Sequence, residues 1–184
     1  MKNTSKKNKL ISLVTALVTA FALVAFVLPN HSLKASAYGG AWLYAKGHVQ
    51  DIGWQNYVGE GGICGTVGQS LRLESIYIYL SADENKYRDS LVKIRTHQAN
   101  FGWTGYSSAP VNNWISSGTT GKSRAIEAVQ IQLTGSLAKD YIVEYRAHVQ
   151  NIGWMNWVRD NAVAGTTGQG LRMEAIEFRL VPRR

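Results

Sequence analysis

The chain of 184 residues carries 20 Lys and Arg against 12 Asp and Glu, a formal charge of +8, and one cysteine, Cys64. The lone cysteine excludes an intrachain disulfide, which in an exported protein points to a Gram-positive-like bacterial exporter rather than a disulfide-stapled eukaryotic module. The basicity is local: Lys2, Lys6, Lys7, Lys9 and Lys34 stand in the first 37 residues with no acid among them. Without that segment the charge falls from +8 to +3, and the case for a nucleic-acid partner goes with it.

Residues 1–37 read as a secretory signal. A basic start leads into the uncharged run Leu10–Leu28, then Pro29, then Ala35 and Ala37 in an A-x-A site. Cleavage is expected over retention as an anchor, although a run of this length is also long enough to span a bilayer. Residues 38–184 then form one secreted, extracellular or surface-held domain with no membrane span after cleavage, long enough for a sizeable core and expected to be a monomer.

That domain repeats one motif three times, over about 42–83, 90–136 and 140–182. His48–Leu80 and His148–Leu180 align without a gap and agree at 17 of 33 positions. Each copy opens on an alternating strand that runs through a His (48, 97, 148) and reaches a Gly-Trp turn six residues on (Trp54, Trp103, Trp154). A short strand such as "MNWV" and a Gly-Thr loop (65–66, 118–119, 165–166) follow. An alternating strand bearing a Glu (74, 127, 174) closes each copy at Leu80, Leu133 or Leu180. The middle copy departs from the others. It reads "HQANFGW", is four residues longer between Trp103 and Gly118, and its Arg124 is one position out of register with Arg72 and Arg172. No window shows helical periodicity with caps; "NKYRDSL" offers one turn at most.

A single copy of this size cannot bury its own apolar face, so three must share one core. The expected fold is all-β, a pseudo-threefold domain of three β repeats, β-prism-like, with the β-trefoil as alternative; closure also removes free sheet edges. An open solenoid would call for capping repeats.

H-x-x-x-x-G-W, then G-T-x-G, then R-x-E-A/S-I ending in a hydrophobic strand resembles the ChW repeat, named for clostridial, hydrophobic and Trp. The likeness covers essentially all of residues 38–184, close in copies one and three and divergent in copy two. It implies a secreted or cell-surface protein of Gram-positive bacteria and an interaction module proposed to bind polysaccharide or protein.

Residue by residue, strand parity puts Glu74, Glu127 and Glu174 on the side of Ile76, Val129 and Ile176, so these carboxylates are expected to be buried. Each then needs partners: Gly-Thr loop N–H groups, an indole N–H or the His. His48, His97 and His148, with Arg72 and Arg172, are read with them as a structural network, the His bonding inside its own copy rather than to a metal. The repeated Trp54, Trp103 and Trp154 have two readings. The first is a core pillar; the second is a sugar-stacking platform with Gln50, Gln150, Asn56 and Asn156 beside it to bond hydroxyls. Trp42, Tyr57, Trp157, Tyr106 and Trp114 are further platform candidates, with Tyr77 and Tyr79, which alternate against Ile76 and Ile78 and are expected on the outer face. Cys64 stands where copy three has Ala164 and reads as a small buried residue.

No nucleophile–base–orienter set, metal motif or nucleotide loop is visible, so no cofactor and no catalysis are expected. The expected function is non-catalytic binding of a glycan or polysaccharide, with three equivalent sites adding avidity. The alternatives are a protein-binding adhesion or host-interaction factor, or a small secreted enzyme or inhibitor.

Overall fold

The computed structural model describes residues 40–184, and the proposed signal, 1–37, lies outside them. Copy one supplies β1 (Ala41–Val49), β2 (Gly53–Trp54), β3 (Cys64–Gly65) and β4 (Leu73–Ala82). Copy two supplies β5 (Leu91–Gln98), β6 (Gly102–Trp103), β7 (Ser107–Pro110), β8 (Trp114–Gly118) and β9 (Ile126–Leu133). After α1 (Gly135–Asp140), copy three supplies β10 (Tyr141–Val149), β11 (Gly153–Trp154), β12 (Val158–Arg159), β13 (Ala164–Gly165) and β14 (Met173–Pro182).

Within each copy the opening and closing strands pair antiparallel: β1 with β4, β5 with β9, β10 with β14. The strand carrying the Gly of Gly-Thr pairs elsewhere. β3 of copy one joins β14 of copy three, β8 of copy two joins β4 of copy one, and β13 of copy three joins β9 of copy two. The exchange runs once around and closes, giving three separate sheets, each completed by its neighbour. This is the prism arrangement expected from the sequence.

Alternation places the core. Along β1, Ala41, Leu43, Ala45 and Val49 are buried while Trp42, Tyr44, Lys46 and His48 lie outside. Leu43, Ile76 and Ile78 of copy one meet Ile94, Ile126 and Ile131 of copy two and Val143, Ile176 and Phe178 of copy three in one cluster. That shared core is why no copy stands alone.

The Gly-Thr dipeptide is the interlock. Thr66, Thr119 and Thr166 each donate their backbone N–H at 2.9 Å to the carbonyl of the neighbouring copy's repeated Glu: Glu174, Glu74 and Glu127 respectively. Gly65, Gly118 and Gly165 have φ of +116°, +115° and +106°, and a Cβ on any of them would fall 2.2–2.4 Å from that same carbonyl oxygen. Only glycine allows both the left-handed backbone and the approach.

The helix is a departure from the sequence reading, which anticipates none. Six residues are too few to show a period, and tertiary contacts hold this turn. Leu137 is buried and its N–H donates to Ser90 Oγ at 2.9 Å, while Ser136 donates to the Asp89 carboxylate at 3.1 Å. "NKYRDSL" forms turns, not a helix. Among the described residues no helix is long and apolar enough to cross a membrane.

Candidate functional site

Each copy builds the same unit from a hairpin and a bulge. In copy one, Asp51 (φ 60°) and Gly53 (φ 82°) turn the chain so that Trp54 lies directly opposite His48; Asn100 with Gly102 and Asn151 with Gly153 repeat the turn. Residues directly opposite on paired strands share a face. His48 is on the outer face, so Trp54 is too. The pair meets edge to face at 5.2 Å, with 5.4 Å for His97–Trp103 and 5.2 Å for His148–Trp154. This overturns the core-pillar reading. Trp54 is 41% exposed, and Trp103 and Trp154 are half-buried on the outside.

The bulge explains the glutamate. His48 opposes Ser75 and Val49 opposes Leu73, which leaves Glu74 as the extra residue; Glu127 and Glu174 occupy the same slot. Burial is as expected, at 4–5% exposure. Parity with Ile76 is not the reason: the bulge turns the carboxylate out of the core set and under the outer-face His. Glu74 Oε2 lies 3.0 Å from His48 Nδ1, and Oε1 accepts from Arg72 Nε at 2.8 Å and Nη2 at 2.7 Å. Copy three repeats this with His148 at 3.3 Å and Arg172 Nη2 at 2.8 Å. In copy two, His97 Nδ1 hydrogen-bonds Glu127 Oε2 at 2.9 Å with no arginine, because Arg124 stacks on Phe101 instead, 4.7 Å from the ring centre. The His, Glu and Arg side chains therefore come together in copies one and three, and among the described residues no cation joins Glu127 in copy two.

On this shared frame the three outer faces differ. The sheet of β1 and β4 carries an aromatic surface. Tyr77 meets Trp54 at 5.4 Å and Trp114 at 5.6 Å, and Trp114 meets Tyr57 and Tyr79 at 4.7 Å each. Lys46 reaches over Trp54, Tyr57 and Tyr77 at 4.7–5.4 Å, with no carboxylate partner among the described residues. Tyr57 and Trp114 are 47% and 40% exposed. Trp114 comes from copy two, opposite Tyr79. β7 pairs with β5 as β12 pairs with β10, and runs two residues longer.

The outer face of the β10–β14 sheet is instead ion-paired: Arg146 with Glu177 at 2.7 Å and Arg179 with Glu144 at 2.8 Å. Both guanidiniums lie on Trp157, at 4.9 and 4.3 Å. That of β5–β9 places Arg95 between Trp103 and Tyr106, at 4.7 and 4.6 Å, and bonds it to Gln130 at 2.7 Å. The three sites are therefore not equivalent, contrary to the expectation from the repeat.

The remaining sequence candidates divide by location. Asn56 lines an open depression of about 440 Å³ with Trp54, Gln55, Val58 and Ile63, and Asn156 is exposed. Gln50 and Gln150 bind the frame through their backbone N–H groups, donating to Arg72 and Arg172 carbonyls at 3.0 Å, and Gln50 also bonds Asp51. Cys64 is buried, and burial pushes its thiol up to about 12. Tyr44, packed on Tyr79 at 6.4 Å, and Phe101, 61% exposed, were not among the candidates. Tyr44 was legible from β1 parity, and Phe101 from its equivalence to Ile52 and Ile152 at the tip of the turn.

One family, described as Clostridial hydrophobic W, matches the sequence three times, at residues 48–82, 97–135 and 148–182. Each match begins at the His and ends with the closing strand or just past it, leaving all but the last two residues of the opening strand outside. No curated protein and no solved structure matches the chain.

Proposed function

The chain belongs to the Clostridial hydrophobic W family, with three tandem copies, and on that basis we propose a secreted, non-catalytic binding module of a Gram-positive bacterium that recognises carbohydrate at a cell surface or in the extracellular matrix. One observation carries the reading: the ring cluster beside Lys46 in which Trp54, Tyr57 and Trp114 are exposed and Tyr77 and Tyr79 half-buried against them. Flat rings at 40–47% exposure present apolar faces to sugar C–H groups, while Asn56 and the Lys46 ammonium supply donors for hydroxyls. The polar groups of the other two faces are largely engaged with one another, so the first sheet is the primary site.

Titration with candidate polysaccharides, followed by indole fluorescence and calorimetry, tests this. Trp114→Ala should lose at least about tenfold in affinity with little change in melting temperature. Absence of binding to any glycan at millimolar sugar would remove the proposal.

A second reading, docking of a protein partner, is favoured by Ile52, Phe101 and Ile152, exposed at 49%, 61% and 49% at equivalent positions of the three turns. Partner binding that survives Trp114→Ala and fails in Ile52→Ser with Ile152→Ser would select it.

A further inference from the structure

The geometry points to a receptor site for an external guanidinium group in copy two, at the carboxylate of Glu127, apart from the proposed glycan face and independent of it. The chain supplies its own template. In copies one and three the buried bulge glutamate has two neighbours, a His Nδ1 3.0–3.3 Å from Oε2 and an arginine bound to Oε1. That arginine stands two residues before the Glu, as Arg72 and Arg172. In copy two the same position is Ala125. His97 still holds Glu127 Oε2, but Oε1 has neither a cation nor a hydrogen-bond donor among the described residues. The neighbouring Arg124 does not stand in, since its guanidinium lies on Phe101.

The carboxylate can be reached from outside. Although the residue is only 4% exposed, it lines an open depression of about 350 Å³, between His97 and Phe101 on one side and Gly168 and Gly170 of copy three on the other. A Cβ on either glycine would meet nothing within 4 Å. A buried carboxylate with one oxygen engaged, on a residue that lines such an opening, is half of a charge-assisted pair. Copies one and three show the missing half to be a guanidinium, bound through Nε and Nη2 to a single oxygen. A ligand that brings an alkylguanidinium from solution completes the arrangement. The source is either a free small molecule or an arginyl side chain of a peptide.

The test follows His97 and Trp103 side-chain resonances while ethylguanidinium, or the capped tripeptide Gly-Arg-Gly, is added at constant ionic strength, with tetramethylammonium as control. Saturable shifts with either probe, absent with the control, are expected; tighter binding of the tripeptide would assign the site to peptides, and equal binding to the group alone. Ala125→Arg should supply the cation from within, raise the melting temperature and weaken either probe at least about tenfold. Glu127→Gln should abolish the shifts. Shifts that stay linear, that tetramethylammonium reproduces, or that persist at the same affinity in a folded Ala125→Arg protein would overturn the site.

Discussion

Copies one and three are the most alike in sequence, yet their outer faces are chemically different. At the same positions, Tyr44, Lys46, Tyr77 and Tyr79 on one sheet become Glu144, Arg146, Glu177 and Arg179 on the other. The first set makes a ring cluster with one cation among the rings. The second makes two cross-strand ion pairs whose arginines also cover Trp157. The neighbouring strand sharpens the contrast: Trp114 enters the first sheet, while Gly61, whose N–H bonds Phe178, reaches the second. The burial of the inward positions, the bulge glutamate and the Gly-Thr interlock are common to both. The repeat thus specifies a frame, and binding chemistry is written on the outward strand positions that the frame leaves free.

The largest expected effect falls on the frame and should ignore which face it supports. Gly118→Ala, Gly65→Ala and Gly165→Ala each drive a Cβ to within 2.4 Å of a neighbouring carbonyl at positive φ, and each should cost upward of about 3 kcal/mol or prevent folding. Gly53→Ala, at φ +82° with open space around it, should cost only about 1–2 kcal/mol. Urea midpoints would separate the two groups. A Gly118→Ala protein as stable as wild type would mean that the interlock does not hold the sheets together.

Next comes the buried carboxylate. Glu74→Gln leaves the Arg72 guanidinium, 21% exposed, without its anion, and about 2 kcal/mol of destabilisation is expected. Glu127→Gln strands no arginine and should cost about half as much. Equal losses would show that the arginine adds nothing to the frame.

Much of this was legible in the sequence, and what was missed has identifiable causes. Strand parity placed Tyr77 and Tyr79 outside and Ile76 and Ile78 inside, because alternation is a local property of the backbone, and alignment with Ala164 placed Cys64 among small buried residues. Recurrence of the Trp with the His and Glu in each motif favours the core-pillar reading. The position of the Trp follows instead from hairpin register, which sets Trp54 opposite an outward His48. The bulge at Glu74 adds a residue that parity cannot count. The cyclic exchange of Gly-Thr strands is a pairing between copies, and nothing local distinguishes a strand that pairs within its own repeat from one that pairs with the next. Trp114 could be singled out as an unusual aromatic in the insertion, but its convergence with Tyr57 and Tyr79 depends on that exchange.

Rewriting one face as the other would test the comparison directly. Tyr77→Glu with Tyr79→Arg gives the first sheet the charges of the third copy and removes two members of the ring cluster. Both positions are half-buried on the outside, so stability should move by no more than about 1 kcal/mol, while glycan affinity should fall at least about tenfold. Retained affinity would place recognition on Trp54 and Asn56 rather than on the cluster.

The smallest effect is expected within the ion-paired face itself. Arg179 is 48% exposed and bonds Glu144 across β10 and β14 while lying 4.3 Å from the Trp157 ring centre. Because the Arg179 end of the pair is open to water, with Glu144 18% exposed, Glu144→Gln should cost no more than about 0.5 kcal/mol at low salt. That difference should vanish near 1 M NaCl, where the screening length is about 3 Å. The guanidinium keeps its ring contact without the carboxylate, so Trp157 emission should scarcely change. A salt-independent loss above about 2 kcal/mol would instead mean that the ion pairs carry the third copy's sheet. The charged face would then belong to the frame, and the division between frame and decoration would hold only for the aromatic sheet.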